Sequence, residues 1–441
     1  MNKKVTLSSE QRNWCDAARK KINPDRLKQS ILELTKIHSP TGAERAASEY
    51  MVDYMRSLGI DAEYQAVNEL SGNCVGHVRG SGEGPTMLLY APIDTHIEGQ
   101  AAVDVPWVGP ELRADMLPAA YIDGDKVIGL GASNPKSMLC TVTEAVAAVL
   151  DAGVTLKGDL IVATCGGGMP WYVPERNNYG ISSGVMHMLS HGVAPDFGII
   201  FKPADEVYYE HPGMCWFKVT TKGTMGYAGI PRGVPGFRSS IVPAAKVILD
   251  LEQWLSEYPN SHESAQVRPE GWISAVHAGW AEKPAFPSAA TEIYLDVRTN
   301  PNQTNADIEA EFDAVMRDIV ARHDDVDAEW EMYVSCKAAA TDPGHWIVGS
   351  ATRAWEDVHG KPYPGAPKAS GQTDASTICQ LGIPLARIGY PFPGGDDVPP
   401  EFADGLGGMG VAFVSQLIDP CEELVYAIID SCTRTRSEVG L

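Results

Sequence analysis

The chain has no apolar stretch long enough to cross a membrane. Its best uninterrupted runs, residues 87–91 and 197–201, are far shorter than the ~20 residues that a transmembrane helix needs. Residues 1–10 also lack the apolar core of a signal peptide. We therefore expect a cytoplasmic protein with no membrane partner.

Cysteine motifs and positive charge are both scarce. The nine cysteines include no C-x-x-C pair and are odd in number, which argues against a disulfide framework or a structural zinc knuckle. Lys and Arg total 35 against 57 Asp and Glu, so the formal net charge is −22. Nucleic acids and anionic membranes bind positive clusters. Neither is expected as a partner, whereas a small-molecule substrate is compatible with this charge.

The sequence does contain a regular alternation of strand and helix patterns. With 441 residues and roughly 150 residues per domain, we expect two or three domains. Residues 160–164 and 197–201 are short apolar runs bounded by Gly or Pro, which is typical of strands buried on both faces. Strands that alternate with helices predict an α/β sheet.

Two helix starts can be predicted from local motifs. Thr41 and Glu44 have the spacing of a capping box, and apolar residues then repeat at helical spacing until Gly59 ends the run. Asn134 and Pro135 are residue types preferred at the N-cap and at the first helical position, and a second apolar helical pattern follows them.

The pattern changes after Pro212. Alternating strand patterns and apolar helical patterns then follow one another, at residues 216–221, 242–255, 292–298 and 308–320. This order predicts a smaller α+β domain at residues 213–333, inserted into an α/β domain made of residues 1–212 and 334–441.

Five stretches, taken in order and spacing, resemble a known family of enzymes. They read LLYAPIDT, GLGASNPK, LIVATCGGG, DFGIIFKP and GQTD, at residues 88–95, 129–136, 160–168, 196–203 and 371–374. Together they are similar to the aminoacylase, acetylornithine deacetylase, succinyl-diaminopimelate desuccinylase and carboxypeptidase G family of dinuclear zinc hydrolases. The resemblance covers almost the whole chain. It implies a mixed central sheet flanked by helices, an inserted lid and dimerisation domain, and hydrolysis of an amide-type C–N bond in a small molecule.

The same resemblance shows that the residues which hold the metal ions are missing. A His-x-Asp that supplies a ligand and its orienting carboxylate reads here Pro-Ile-Asp, so only Asp94 remains. The bridging Asp falls on Asn134, and the adjacent Glu pair of general base and ligand falls in residues 166–168, which are all glycine. An amide oxygen substitutes poorly for a bridging carboxylate, and glycine has no ligand at all.

The remaining ligand positions are lost as well. The acidic ligand that precedes a proline falls on Lys202, and the last His ligand has no counterpart because no histidine follows His359. The lid-domain His that reaches over the partner's active site falls on Tyr227. The resemblance therefore implies that the family's dinuclear site is absent, and we expect no cofactor.

Other positions of the family look retained, which indicates that a small molecule still occupies the site. Lys136, Arg298, Thr373 and Asp374 match the family pattern. We assign to substrate binding the residues expected to line this pocket, which are Asn134, Gly167, Gly168, Tyr227, Arg298, Thr373 and Asp374.

Lys202 is the most informative change. An ammonium in place of a zinc ligand would offer positive charge to a developing oxyanion or a substrate carboxylate. Exposed N–H groups of glycines 166–168 would suit the same task, although a solvent-facing lysine and a plain tight turn are the alternatives. The predicted catalytic residues are Asp94, His96, Lys202, Cys165 and Lys136.

Structural explanations for these residues remain open beside the catalytic ones. Cys165 is better explained as a buried, inert thiol than as a nucleophile, and Lys136 is explained equally well as the partner of a carboxylate. Three functions follow: a C–N hydrolase without the family's metals, an enzyme with a rebuilt single zinc site, or a catalytically dead relative that binds a ligand. A rebuilt site would draw on His77, His96, Asp94 and Cys165.

We also expect a homodimer formed through the inserted domain. Residues 216–221, with their β-rich pattern, suit strand pairing across a two-fold axis.

The lost ligands lead to a prediction about metal content. We expect the purified protein to carry well under one equivalent of tightly bound zinc, manganese or cobalt, because too few ligands remain for the family's two ions. Elemental analysis of the purified chain measures this. Two metal ions per chain would contradict it.

Overall fold

The computed structural model describes residues 6–231, 233–391, 402 and 409–441. These residues divide into two compact units. Unit 1 lies within Met1–Tyr209, Thr341–Ala366 and Thr377–Leu441, and unit 2 is formed by Glu210–Ala340 and Pro367–Ser376. In the described part of the chain, none of the helices combines the length and apolar character that a membrane crossing needs.

The helices and strands alternate along the chain. The helices are α1 (Ser9–Arg19), α2 (Pro24–Thr35), α3 (Arg45–Ser57), α4 (Ala101–Asp104), α5 (Met138–Asp151), α6 (Ser183–Ser190), α7 (Ile241–Ser261), α8 (Asn305–Arg322), α9 (Trp346–His359), α10 (Ala375–Gln380) and α11 (Ile418–Cys432). The strands are β1 (Asp61–Ala66), β2 (Gly72–Val78), β3 (Met87–Pro92), β4 (Tyr121–Asp123), β5 (Lys126–Ile128), β6 (Leu160–Cys165), β7 (Phe197–Phe201), β8 (Glu210–His211), β9 (Gly213–Lys222), β10 (Gly271–Ala278), β11 (Ala290–Thr299), β12 (Ala328–Cys336), β13 (Ala339–Ala340), β14 (Leu385–Ile388) and β15 (Val411–Phe413).

The main sheet of unit 1 is mixed. Its described strands lie in the order β1-β2-β6-β3-β7-β14, with parallel pairing from β6 to β14 and antiparallel pairing of β2 with β1 and β6. Every residue of β3, β6 and β7 is buried, as expected for strands covered on both faces. The predicted α/β class, with a mixed sheet flanked by helices, is confirmed.

A helical layer completes the core of unit 1. Helix α5 contacts β3 on one side and α11 on another, and all its residues are buried except the last two. A helix that is apolar all round needs such neighbours, because no face of it is suited to water. Strand β3, with the site described below at its end, is thereby held against a rigid element.

The two predicted helix starts were wrong. Helix α3 begins at Arg45, and the side chain of its N-cap residue Glu44 makes no capping hydrogen bond. Helix α5 begins at Met138 after a π-helical turn at Ala132–Ser137, in which Asn134 has non-helical angles of φ −120° and ψ 109°. At the first of these starts the Thr41 and Glu44 side chains bind buried neighbours instead, so the local capping rule does not decide where α3 begins.

Unit 2 is an antiparallel sheet with two helices on one face. Its four strands lie in the order β10-β11-β9-β12, and burial along β11 alternates strictly after its first residue. The buried side chains of β9 and β11 pack against α7 and α8 in a core separate from that of unit 1. Alternating strands with a helical cover are what the sequence pattern of the insert predicts.

Unit 2 extends beyond the predicted insert of residues 213–333. Strand β12 runs on to Cys336, and β13 pairs with β8. Residues 367–376 also belong to unit 2, where Ala369 bridges Val267 and the Ser370 hydroxyl accepts a hydrogen bond from the Glu270 N–H. The predicted assignment of 334–441 to the α/β domain was therefore wrong for these two stretches, because long-range strand pairing places them in unit 2.

The strand predicted to pair across a two-fold axis was also misplaced. Residues 216–221 lie in β9, which is bonded to β11 on one side and β12 on the other. A strand with two neighbours offers no free edge. The edges of this sheet are β10 and β12, and β10 exposes Trp272 to 66% and Val276 to 46%.

We predict a homodimer that depends on the apolar surface of β10. Trp272→Glu places a negative charge on this edge strand. In a dimer formed there, like charges would meet across the two-fold axis, so the dissociation constant of the dimer should rise at least tenfold. Sedimentation over a range of concentrations measures the change. Leu249→Glu, on exposed α7, is the matched control and should leave the association unchanged. A concentration-independent monomer of the wild type would contradict the prediction.

Candidate functional site

The candidate site lies at one end of the parallel strands of unit 1. Pro92 at the end of β3 is in register with Cys165 at the end of β6, and β7 beside β3 ends at Phe201. Asp94, the glycine run 166–168 and Lys202 follow these ends directly. Parallel strands bring their carboxyl ends to one edge, which is where ligands bind in open α/β sheets.

Asp94 is a fully buried carboxylate that accepts its hydrogen bonds from one hydroxyl and two backbone N–H groups. Its Oδ2 accepts from the Thr41 hydroxyl at 2.8 Å and from the Met169 N–H at 2.8 Å, and its Oδ1 accepts from the Gly168 N–H at 3.0 Å. Its exposure is 0%. Burying an ionised carboxylate requires such donors, so Asp94 organises the loop after β6.

Glu44 is a second buried carboxylate bound by the same loop. Its Oε1 accepts hydrogen bonds from the Gly42 N–H at 2.7 Å and the Gly167 N–H at 2.8 Å. Gly166 packs against it so closely that a Cβ there would lie 2.7 Å from the Glu44 carboxyl carbon. Glycine is therefore needed at residue 166 to let Glu44 approach the backbone.

These contacts overturn the predicted role of the glycines. The N–H groups of Gly167 and Gly168 were expected to bind substrate or an oxyanion, but they donate to Glu44 and Asp94. A donor already bound to a buried carboxylate is not available to a ligand. The run instead supplies one backbone hydrogen bond to each of two buried carboxylates.

The two carboxylates influence each other electrostatically. Burial, together with the negative charge of Asp94, raises the pKa of Glu44 to about 7. Burial also raises the pKa of Asp94, while hydrogen bonds from Met169, Thr41 and Gly168 and the charge of Lys202 act in the opposite direction. A proton on Glu44 thus relieves the repulsion between two neighbouring acids.

Lys136 is a fully buried amine that interacts electrostatically with these two acids. Its Nζ donates to the Ile37 carbonyl at 3.1 Å and to Ser39 Oγ at 2.5 Å, and its exposure is 0%. Burial lowers its pKa to about 7, against the opposing effects of Cys140 and of the acids Asp94 and Glu44. A substrate does not reach a fully buried amine, so the predicted catalytic role is corrected to that of a structural charge partner.

Lys202 lies directly after the end of β7, at the position where the family resemblance expects an acidic metal ligand. Its N–H donates to the Ile388 carbonyl at 2.9 Å, and its exposure is 9%. The ammonium is close enough for its charge to lower the pKa of Asp94. Lys202 therefore does not extend into solvent, and its charge acts on the buried acid at the end of β3.

Two further predicted residues keep some exposure or an unsatisfied polar atom. Asn134 has an exposure of 9%, its N–H donates to the Met409 carbonyl at 3.1 Å, and its Oδ1 has no hydrogen-bond partner among the described residues. His96 is half-buried and comes two residues after Asp94. Of the predicted bases and nucleophiles, His96 is the only one that is not fully buried.

Cys165 is not placed to act as a nucleophile. Its exposure is 0%, and its Sγ lies 3.7 Å from the Sδ of Met188 in α6. The thiol is therefore enclosed in the packing of the sheet against that helix, where an inert cysteine is usual.

A single zinc site rebuilt from His77, His96, Asp94 and Cys165 is excluded by the sheet register. His77 is paired with Ile161, four residues before Cys165 on β6, which is about 13 Å along a strand. Within the described ranges, no group of three potential metal ligands includes Asp94 or Glu44. Both acids already accept backbone N–H groups, so the donors present here do not fit the dinuclear zinc site that the resemblance implies.

The other four predicted residues belong to unit 2. The Arg298 guanidinium pairs with the Asp296 carboxylate, at 2.7 Å from Nε to Oδ1 and 2.9 Å from Nη2 to Oδ2. Tyr227 is 56% exposed. Thr373 accepts a hydrogen bond from the Ala375 N–H at 3.3 Å, and Asp374 is buried. Their roles in substrate binding stay predictions.

Sequence reasoning missed Thr41 and Glu44 as part of the site. They were interpreted as a capping box, a local motif that needs nothing else. In the structure Thr41 donates to Asp94, and Glu44 binds the loop after β6. The sequence did contain one signal. Residues 166–168 are three consecutive glycines, which neither a helix nor a strand requires.

Solved structures share this fold, although no protein-family model matches the sequence. A dipeptidase from Saccharomyces cerevisiae gives a TM-score of 0.71 at 12% identity, covering 95% of this chain and 98% of that chain. An M20 family metallo-carboxypeptidase from Sulfolobus solfataricus gives 0.66 at 14%, covering 93% and 99%. A hydantoinase/carbamoylase family amidase from Burkholderia multivorans gives 0.61 at 14%, covering 94% and 99%. At these identities the similarity establishes that the chain has the fold of these peptidases and amidases.

We predict that Glu44→Gln reduces the loss of folding stability as the pH rises. The folded pKa of Glu44, about 7, lies above its ordinary value of 4.5, so ionisation destabilises the wild type as the pH rises from about 5 to 8. The amide keeps the acceptor for Gly42 and Gly167 but cannot ionise. Its stability relative to wild type should therefore increase over this range, by up to about 3 kcal/mol.

Urea unfolding at pH 5 and pH 8 measures this difference. Asp53→Asn, in the same helix region but 85% exposed at its side chain, is the control and should show no such trend. If the free energy of unfolding depends on pH equally in Glu44→Gln and in the wild type, Glu44 does not change its charge in this range.

Proposed function

We propose that this chain hydrolyses an amide-type C–N bond in a small molecule, at the carboxyl edge of the sheet in unit 1, without the family's dinuclear metal site. The observation that carries the proposal is the position of Lys202. An ammonium whose charge reaches Asp94 follows the strand end where the family pattern has a metal ligand. The fold shared with peptidases and amidases supports the reaction class.

The chemistry assigned to Lys202 is electrostatic. When water attacks the carbonyl carbon of an amide, negative charge develops on the carbonyl oxygen. A positive group fixed in a largely buried place stabilises that charge more than it would in water. With the glycine N–H groups bound to Glu44 and Asp94, Lys202 is the charged group proposed for this task.

We propose His96 as the general base. Asp94 and Lys136 have no exposure, and Cys165 is enclosed against Met188. His96 is half-buried and adjacent in sequence to the Asp94 region. Its imidazole would take a proton from the attacking water and return it to the leaving nitrogen. Asn134, with an unsatisfied Oδ1, is the proposed contact for a substrate N–H.

A non-catalytic, ligand-binding protein is the second candidate. It is favoured by the observation that most of the predicted catalytic groups have buried structural partners, as Asp94, Lys136 and Cys165 do. In that case Lys202 would anchor the carboxylate of a bound amino acid or peptide. An activity assay of the wild type separates the two candidates, because one predicts turnover and the other only binding.

We predict that Lys202→Met loses at least tenfold in turnover, or in ligand affinity if the chain is not an enzyme. Loss of about 1.4 kcal/mol of electrostatic stabilisation gives that factor. The assay would use dipeptides, N-acyl amino acids, N-carbamoyl amino acids and cyclic amides, each in the presence of EDTA. Lys36→Met, at the exposed lysine that follows the end of α2, is the matched control.

Two companion variants make the test specific. Lys202→Arg keeps the charge and should retain more function than Lys202→Met, whereas a packing role would penalise both. Lys202→Glu restores one acidic position only, so no metal-dependent activity is expected from it. Circular dichroism establishes that each variant is folded. Full function in a folded Lys202→Met protein would overturn the proposed role of the lysine.

A further inference from the structure

A second cluster of potential ligands lies in unit 1 and does not include Asp94. It joins Asp205, four residues after the end of β7, His359, the last residue of α9, and Glu423 on α11. One ligand atom from each lies within 4.8 Å of the other two. The three residues come from distant parts of the chain, so the cluster is a product of the tertiary fold.

Two of the three ligand atoms in this cluster are buried without hydrogen-bond partners among the described residues. His359 Nε2 lies 3.7 Å from Asp205 Oδ2 and 3.7 Å from Glu423 Oε1. Neither His359 Nε2 nor Glu423 Oε1 has a hydrogen-bond partner among the described residues. The Glu423 side chain is only 2% exposed. An unsatisfied carboxylate oxygen at that depth is costly unless another group meets it.

The surrounding charge is predominantly negative. Asp205 and Asp419 both act on Glu423 electrostatically, and Arg19 opposes them. Arg19 is already paired, with Asp357 at 2.9 Å and with Glu422 at 3.4 Å. Its positive charge is therefore shared with other acids and does not neutralise the two cluster carboxylates.

The spacing is close to that of a metal site. Zinc bonds to nitrogen and oxygen of about 2.0–2.2 Å in a tetrahedron place ligand atoms about 3.3 Å apart. The two separations of 3.7 Å need only a small inward movement of side chains to reach this value. One histidine and two carboxylates are borderline and hard donors that suit zinc and similar divalent ions.

We propose that Asp205, His359 and Glu423 form a binding site for one divalent cation of the zinc class. The cation would bond to His359 Nε2 and one oxygen of each carboxylate, with water completing its coordination. It would link the segment after β7 to α9 and α11. With three protein ligands, we expect an exchangeable ion that a chelator removes, distinct from the two tightly bound ions of the dinuclear site.

Zinc titration of the EDTA-treated full chain tests this proposal. Calorimetry with zinc ion alone should show one equivalent bound, and His359→Gln should weaken binding at least tenfold. His277→Gln, at an exposed histidine of β10, is the matched control and should bind as the wild type does. Cobalt in place of zinc should give visible absorption bands in the wild type that His359→Gln lacks.

Further variants keep the result decisive. If His359→Gln does not fold, Asp205→Asn provides the same test from a less buried position. Asp94→Asn should leave zinc binding unchanged, because Asp94 is not part of the cluster. The proposal is overturned if the wild type binds no zinc, if folded His359→Gln and Asp205→Asn bind it as the wild type does, or if Asp94→Asn abolishes binding.

Discussion

The hydrogen bonds from the loop after β6 to two buried carboxylates determine much of the site. Asp94 and Glu44 have no exposure to water, so their charge must be met by protein donors. The backbone provides them through Gly167, Gly168 and Met169. A side chain at residue 166 would collide with Glu44. The glycine run and the two acids therefore form one hydrogen-bonded structural unit.

This unit also explains how the charges are distributed. Two neighbouring acids repel each other, and the site reduces that repulsion by raising the pKa of Glu44 and by placing Lys136 and Lys202 within electrostatic reach. Lys136 is closed off by Ile37 and Ser39. Lys202 retains slight exposure, which is why the proposed chemistry depends on it and on half-buried His96.

The sequence predicted the location of the site better than its chemistry. Strand ends can be found from short apolar runs, and parallel strands bring Asp94, residues 166–168 and Lys202 to one edge. The partners of each polar group depend on distances between segments that are far apart in the chain. Thr41 and Glu44 satisfy a local capping pattern, so nothing local indicated that they bind elsewhere.

The same limit applies to the fold. The mixed α/β sheet follows from the order of the patterns, but β9 was expected at an edge and is an inner strand of its sheet. Residues 367–376 were assigned by chain order to the α/β domain, while pairing of Ala369 with Val267 places them in unit 2. Pairing partners and sheet order are decided by packing, which a single sequence does not display.

The backbone at Gly167 restricts which residues this position accepts. Its φ is +64°, and a Cβ there would lie 2.1 Å from Ser183 Oγ. An acidic side chain at this residue would strain the backbone, displace Ser183 and disturb the N–H bond to Glu44. A designer who wished to place a metal ligand here would therefore have to rebuild the turn and the start of α6 together with it.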